Sequence, residues 1–176
     1  MITIMSDAIS ELFRSAWGGS ASRGTVLFHV DDPVREVYLV TCGSLTLRRL
    51  TEAGGEMILQ TAVPGDVLAE ASIYSARYHC EGVALGDCTY QVVPRSEFCA
   101  LLEQDGLLAA AWARRLARGM QAARSKAEIR GLRRVAERLD MWLVLNGPLP
   151  DRGTWHLLAA ELGVSREALY REMARR

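Results

Sequence analysis

Residues 154–171 read Thr154-Trp-His-Leu-Leu-Ala-Ala-Glu-Leu-Gly-Val-Ser-Arg-Glu-Ala-Leu-Tyr-Arg171. Leu158, Ala159 and Leu162 recur at helical spacing, with Thr154 placed to cap their helix. Gly163 follows where that helix must stop, because glycine accepts the left-handed conformation. Val164 fills the angle, Ser165 caps a second helix, and Leu169 and Met173 return to the apolar side. Two short helices joined by a glycine-containing turn form a helix-turn-helix unit, whose second helix lays its N-terminal side chains in the major groove of DNA. Arg166 and Glu167 open that helix, and Arg171 shares a face with Glu167. Arginine donates a bidentate pair to guanine, and glutamate accepts from cytosine N4. Tyr170, Arg175, Arg176 and the backbone at Ser165 suit phosphates. The expected DNA-contacting set is Thr154, Ser165, Arg166, Glu167, Tyr170 and Arg171. The competing reading is a solvated helix face with an i,i+4 ion pair.

Working outward, the charge supports the DNA reading. The 176 residues hold 21 basic and 21 acidic side chains, a net of zero. Residues 1–106 hold 7 basic and 14 acidic groups (7 − 14 = −7), and residues 107–176 hold 14 and 7 (14 − 7 = +7). Such asymmetry points to two parts with different partners, the basic one towards nucleic acid. Apolar residues make up 49% and charged residues 24%, a globular balance that excludes wholesale disorder. No apolar run is long enough to span a membrane. The start, Met1 to Asp7, lacks a basic region followed by an apolar core, so no secretory signal is expected. The cysteines, Cys42, Cys80, Cys88 and Cys99, form no Cys-x-x-Cys pair. That argues against structural zinc and for reduced thiols in a cytoplasmic protein.

Between the ends, periodicity divides the chain. Residues 7–17 read as a short helix ended by Gly18-Gly19-Ser20. Strand-like runs then cover 25–30, 36–41, 44–50, 56–63, 83–85 and 89–93, with a hairpin signal at Ala53-Gly54-Gly55. Short strands separated by regular turns predict an antiparallel sandwich or barrel. Ser96 is expected to cap a helix from Glu97, and 107–130 forms one long helix suited to packing along a partner. A further helical stripe at Val135, Leu139, Trp142 and Leu143 ends at Asn146-Gly147-Pro148.

Taken together, Gly24, Tyr38-Leu39-Val40 with Gly43, Gly55-Glu56, Pro64-Gly65-Asp66-Val67-Leu68-Ala69-Glu70, Ala84-Leu-Gly-Asp-Cys88, and Leu162-Gly163-Val164-Ser165-Arg166-Glu167 with Arg171 carry a resemblance. Residues 24–176 resemble the cyclic-AMP receptor protein and fumarate–nitrate regulator family. The resemblance implies an α+β chain with three parts: an antiparallel β-roll effector domain over 1–106, a dimerisation helix over 107–131, and a helix-turn-helix domain over 132–176. It implies a homodimer, joined through 107–130, that binds a double-stranded operator and works beside RNA polymerase. Family members continue into a β-hairpin wing, whereas this chain stops at Arg176, which reads as a short variant or a truncated chain.

The resemblance also places an effector site at Glu70, Ala71, Arg77, Tyr78, His79 and Cys80. Nucleotide-binding members carry Gly-Glu and then Arg-Ser or Arg-Thr, the arginine neutralising the cyclic phosphate. Here Ala69 precedes Glu70, and Tyr78-His79 or Cys80-Glu81 falls where the arginine is expected. Arg77 could substitute only if the loop shifted. Cyclic AMP is therefore not the expected effector. Some relatives bind haem, and His79 and Cys80 are axial-ligand types; their bland reading is packing or capping of the loop. No P-loop, nucleophile elbow or dinucleotide fingerprint occurs, so no enzyme is expected. The alternative from another class is a β-roll ligand-binding or protein-interaction module with a vestigial helix-turn-helix.

Overall fold

The computed structural model describes residues 10–50 and 56–176. The hairpin signal at 53–55, the start at Met1–Asp7 and the first residues of the helix expected over 7–17 lie outside them. The chain divides into two compact units, Met1–Leu116 and Ala117–Arg176.

Among the described residues the first unit has eight strands: β1 (Trp17–Ala21), β2 (Val26–Phe28), β3 (Glu36–Cys42), β4 (Leu45–Leu50), β5 (Glu56–Ala62), β6 (Val67–Leu68), β7 (Glu81–Ala84) and β8 (Cys88–Pro94). They form two four-stranded sheets, ordered β1-β8-β3-β6 and β2-β7-β4-β5, with every pairing antiparallel. Alternation along β3 explains the layering. Tyr38 and Val40 face the second sheet, joining Phe28, Leu45, Leu47, Ala62, Tyr78, Ala84 and Val92 in the roll's interior. Val37 and Leu39 face the other way, against Leu12, Phe13, Phe98, Leu108 and Trp112. The first sheet is thus buried on both sides, which is why β3 reads as an unbroken apolar run.

Several boundaries differ from the sequence reading. The strand expected over 25–30 is only Val26–Phe28, that expected over 83–85 is Glu81–Ala84, and Val67–Leu68 was not expected. Two further differences have a local cause. Helical geometry among the described residues before Gly18 covers only Ser10 and Glu11, and Trp17–Ala21 pairs with β8 from Val92 to Cys88. Gly18-Gly19 belongs to this strand rather than to a helix end. A Cβ on Gly19 would stand 2.8 Å from the Tyr90 Cζ, so glycine here lets an aromatic ring cross the strand. The helix α1 begins at Arg95, not after Ser96, with Pro94 in the cap position, and ends at Gln104. Proline at the boundary serves because the N–H it lacks would have no partner in the first turn.

The helix α2 spans Gly106–Gly131. Asp105 caps it, its Oδ1 accepting from the N–H groups of Leu107 at 2.8 Å and Leu108 at 3.2 Å. Up to Leu116 the helix belongs to the first unit, where Leu108, Ala111 and Trp112 are buried. Residues 117–124 are exposed without interruption.

The second unit continues with α3 (Val135–Asn146), α4 (Trp155–Leu162) and α5 (Arg166–Met173). Its core joins Ile129, Leu139, Leu158, Ala159, Leu162 and Leu169. Among the described residues, no helix is long and apolar enough to cross a membrane.

Candidate effector site and nucleic-acid interface

In the second unit, the turn between α4 and α5 follows from local chemistry. Gly163 is left-handed, at φ 65° and ψ 41°, and Ser165 Oγ accepts from the Ala168 N–H at 3.2 Å. Thr154 occupies the cap position of α4 without capping it; its hydroxyl donates to the Asp151 carbonyl instead. Two arginines outside the motif hold the turn. Arg130 donates to the carbonyls of Glu161 and Ala160 at 3.1 and 2.9 Å. Arg138 Nη1 donates to those of Leu162 and Gly163, both at 3.0 Å. Carbonyls at a helix C-terminus lack intrahelical partners and carry partial negative charge, so guanidinium groups there are favourable. Sequence reasoning missed both residues, because their partners lie in a different helix.

Leu169 is buried beneath α5, and Arg166, Glu167, Tyr170 and Arg171 are exposed on its outer side. Glu167 sits below the usual carboxylate range through its own backbone N–H, the Ser165 hydroxyl and the charges of Arg166 and Arg171. Tyr170 leans on Trp155, with ring centroids 5.3 Å apart, and the Arg152 guanidinium lies 5.6 Å from the Trp155 ring centroid. Arg176, read as a phosphate contact, is committed within the chain to Asp140 at 2.8 Å and to Glu172 at 3.4 Å. Much of the basic excess is structural in the same way: Arg115, Lys126, Arg130, Arg134 and Arg138 also have partners within the chain.

In the first unit, the six residues read as an effector site do not converge on one cavity. Glu70 opens a 3-10 turn, Glu70–Tyr74, and its Oε2 accepts from Gln60 Nε2 at 2.6 Å. Gln60 Oε1 in turn accepts from the Ala69 N–H at 3.0 Å. Ala71 is exposed on that turn. Arg77 is exposed and donates to the Asp31 carbonyl. Tyr78 is buried in the roll, its ring stacked on Phe28 with centroids 3.6 Å apart and planes within 11°. Its hydroxyl donates to the Glu36 carbonyl at 3.1 Å, and burial raises its pKa well above the ordinary phenol value. His79 is exposed, whereas Cys80 is buried and its thiol is pushed up by that burial.

Neither implied ligand fits these residues. The guanidiniums of Arg48, Arg49 and Arg77 are already engaged: Arg48 on Glu81 at 2.6 Å, Arg49 on the His79 carbonyl at 3.0 Å, and Arg77 on the Asp31 carbonyl. Glu81 itself stays ionised below the usual range. Burial opposes this, but the hydrogen bonds from Arg48 and His29 outweigh it. A cyclic phosphate would meet a buried phenol where it needs a cation. A haem iron would find His79 in solvent and Cys80 in the core as a protonated thiol, with no shared point of approach.

Ala69 is left-handed at φ 55°, a conformation that crowds the Cβ of any L-residue. Ala69→Gly is expected to raise the stability of the first unit by up to about 1 kcal/mol, checked by urea unfolding. A loss of stability would show that the buried Ala69 methyl is worth more than the strain.

The fold is an antiparallel β-roll followed by helices. Residues 20–105 match the family model described as the cyclic nucleotide-binding domain. Solved structures with the same fold include FixK2 from Bradyrhizobium japonicum, at 21% identity and TM-score 0.74 over 91% of this chain and 83% of that one. The c-di-GMP responsive global regulator CLP of Xanthomonas campestris aligns at 18% identity and TM-score 0.72, covering 97% and 90%. The catabolite activator protein of Thermus thermophilus aligns at 25% identity and TM-score 0.57, covering 96% and 82%. No curated protein sequence matches the chain.

Proposed function

We propose that this chain is a homodimeric transcription regulator that reads a double-stranded operator with α5. The observation that carries the reading is the α5 surface. Its first turn is capped by Ser165 and its apolar side is anchored by Leu169. Arg166, Glu167, Tyr170 and Arg171 are left on the outside, and the turn that precedes them is braced by Arg130 and Arg138. Side chains for guanine, cytosine and phosphate then stand on a rigid element, as base readout requires. Dimerisation is assigned to 107–130. Residues 117–124 are two helical turns exposed throughout, Met120 at 53%, and so bare a helix is marginal in water without a partner. RNA polymerase is the further partner such a regulator meets. A cyclic nucleotide is not the effector this reading favours, since Tyr78-His79 or Cys80-Glu81 falls where the resemblance requires the phosphate-neutralising arginine. Regulation would act by population shift, effector contacts in the first unit biasing α2 and hence the two copies of α5.

The test is binding to a randomised double-stranded library, followed by titration of the selected site against salt. Wild-type chain is expected to select a two-fold symmetric site and to show a steep log–log salt slope. Arg166→Ala should cost about 1–3 kcal/mol and relax preference at one base pair of each half-site. Equal, weak affinity for every sequence would overturn the reading in favour of an interaction module.

A further inference from the structure

A groove of about 670 Å3 opens on the first unit. Three separated segments build it: Val34 and Arg35 before β3, Tyr74 at the end of the 3-10 turn, and Arg95, Cys99 and Leu102 on α1. The two arginines are held together by the backbone, the Arg95 N–H donating to the Arg35 carbonyl at 2.7 Å. Arg95 is fixed further by its Nε, which donates to the Ile73 carbonyl. Its terminal nitrogens, and the whole Arg35 guanidinium, have no partner among the described residues.

Trp112, buried at 2% exposure and not itself on the lining, lies within reach of the Tyr74 hydroxyl: burial raises the Tyr74 phenol, and the Trp112 N–H partly offsets this. Ser96 adds a hydroxyl, and Glu103 is the one carboxylate on the lining. Donors therefore outnumber acceptors, two cations face one anion, and Val34, Cys99 and Leu102 supply apolar surface.

We infer that this groove is a binding site for a small organic anion, a carboxylate or phosphate head on an aromatic or short aliphatic body. The head pairs with Arg35 and Arg95, for which bidentate geometry is available, and the body lies against Tyr74 and Leu102. Such a ligand would rest on α1 next to Asp105, the residue that caps α2. The inference does not rest on the DNA-binding reading, and its test reads ligand binding alone, so either can fail without the other.

The full chain is titrated calorimetrically with phenyl phosphate, benzoate, inorganic phosphate and the neutral benzyl alcohol. Phenyl phosphate or benzoate should bind saturably with one site per chain. Benzyl alcohol and inorganic phosphate should each bind at least about tenfold more weakly, since each lacks one half of the recognition. Arg35→Gln, at an exposed side chain with no partner to lose, should keep the wild-type melting temperature and weaken the aryl anions by about tenfold or more. Arg23→Gln, at an exposed arginine outside the groove, should leave binding unchanged. Absence of saturable binding by both aryl anions would overturn the inference. So would affinity that Arg35→Gln leaves intact, or equal affinity for benzyl alcohol.

Discussion

Gly43→Ala is expected to destabilise the first unit by about 2–5 kcal/mol. Gly43 closes the turn from β3 to β4 at φ +71°. An L-residue there carries the left-handed penalty of about 1–2 kcal/mol. The added methyl also has nowhere to go. It would stand against the Asp87 carbonyl oxygen, 2.8 Å from the Cys88 Cβ and 2.9 Å from its Cα. These are chiefly backbone atoms at the start of β8, fixed by pairing with β1 at Ala21 and with β3. Neither strand can retreat without breaking a ladder, and overpacking of this kind costs roughly 1–3 kcal/mol more. Gly65→Ala separates the two contributions: φ is +90° but no atom lies within 4 Å of the added carbon, so only the backbone penalty applies. Urea unfolding should show a clearly larger loss for Gly43→Ala. Equal losses at the two glycines would refute the crowding argument.

Arg138→Ala is expected to cost the second unit about 2–4 kcal/mol. One guanidinium ties three segments: its Nε donates to the Leu132 carbonyl at 2.8 Å, while Nη1 bridges those of Leu162 and Gly163. Hydrogen bonds from a charged donor are worth about 1.5–3 kcal/mol each, and removing the donor leaves three acceptors to find water in a part-buried setting. Arg138→Lys should recover little, since one ammonium cannot reproduce the planar fork. Amide exchange across Ala159–Ser165 in the two variants gives the local readout: fast exchange there, with α2 unchanged, is the expected pattern. A loss below about 0.5 kcal/mol would place the turn's rigidity in its own sequence.

The contrast between these residues shows what the sequence could carry. Gly163 and Ser165 were legible because a left-handed turn and an N-cap are decided within a few residues of chain. Arg130 and Arg138 read only as basic charge, because the turn carbonyls they hold are more than twenty residues away. The +7 of the second half therefore overstated the charge available to a polyanion. Gly18-Gly19 misread as a stop for a similar reason: the strand it joins is specified by Tyr90, across the sheet. At the expected effector site, the lack of the arginine that the resemblance implies was visible in the sequence, but the stack of Tyr78 on Phe28 spans 50 residues and was not. The groove was invisible altogether, since 34–35, 74 and 95–103 have no common sequence signature.

The pairing of Tyr78 with Phe28 has a consequence in the language of linkage. A receptor that closes on a diffusible ligand gains stability as RT ln(1 + [L]/Kd), so its order follows the ligand's concentration. Here a covalently attached ring fills the interior, at an effective concentration set by the chain and unaffected by dilution. The tightness of this roll is then a constant of the molecule rather than a measurement of its surroundings. In the proposed regulator, an effector of the first unit would then enter through a surface that the aromatic stack has left open.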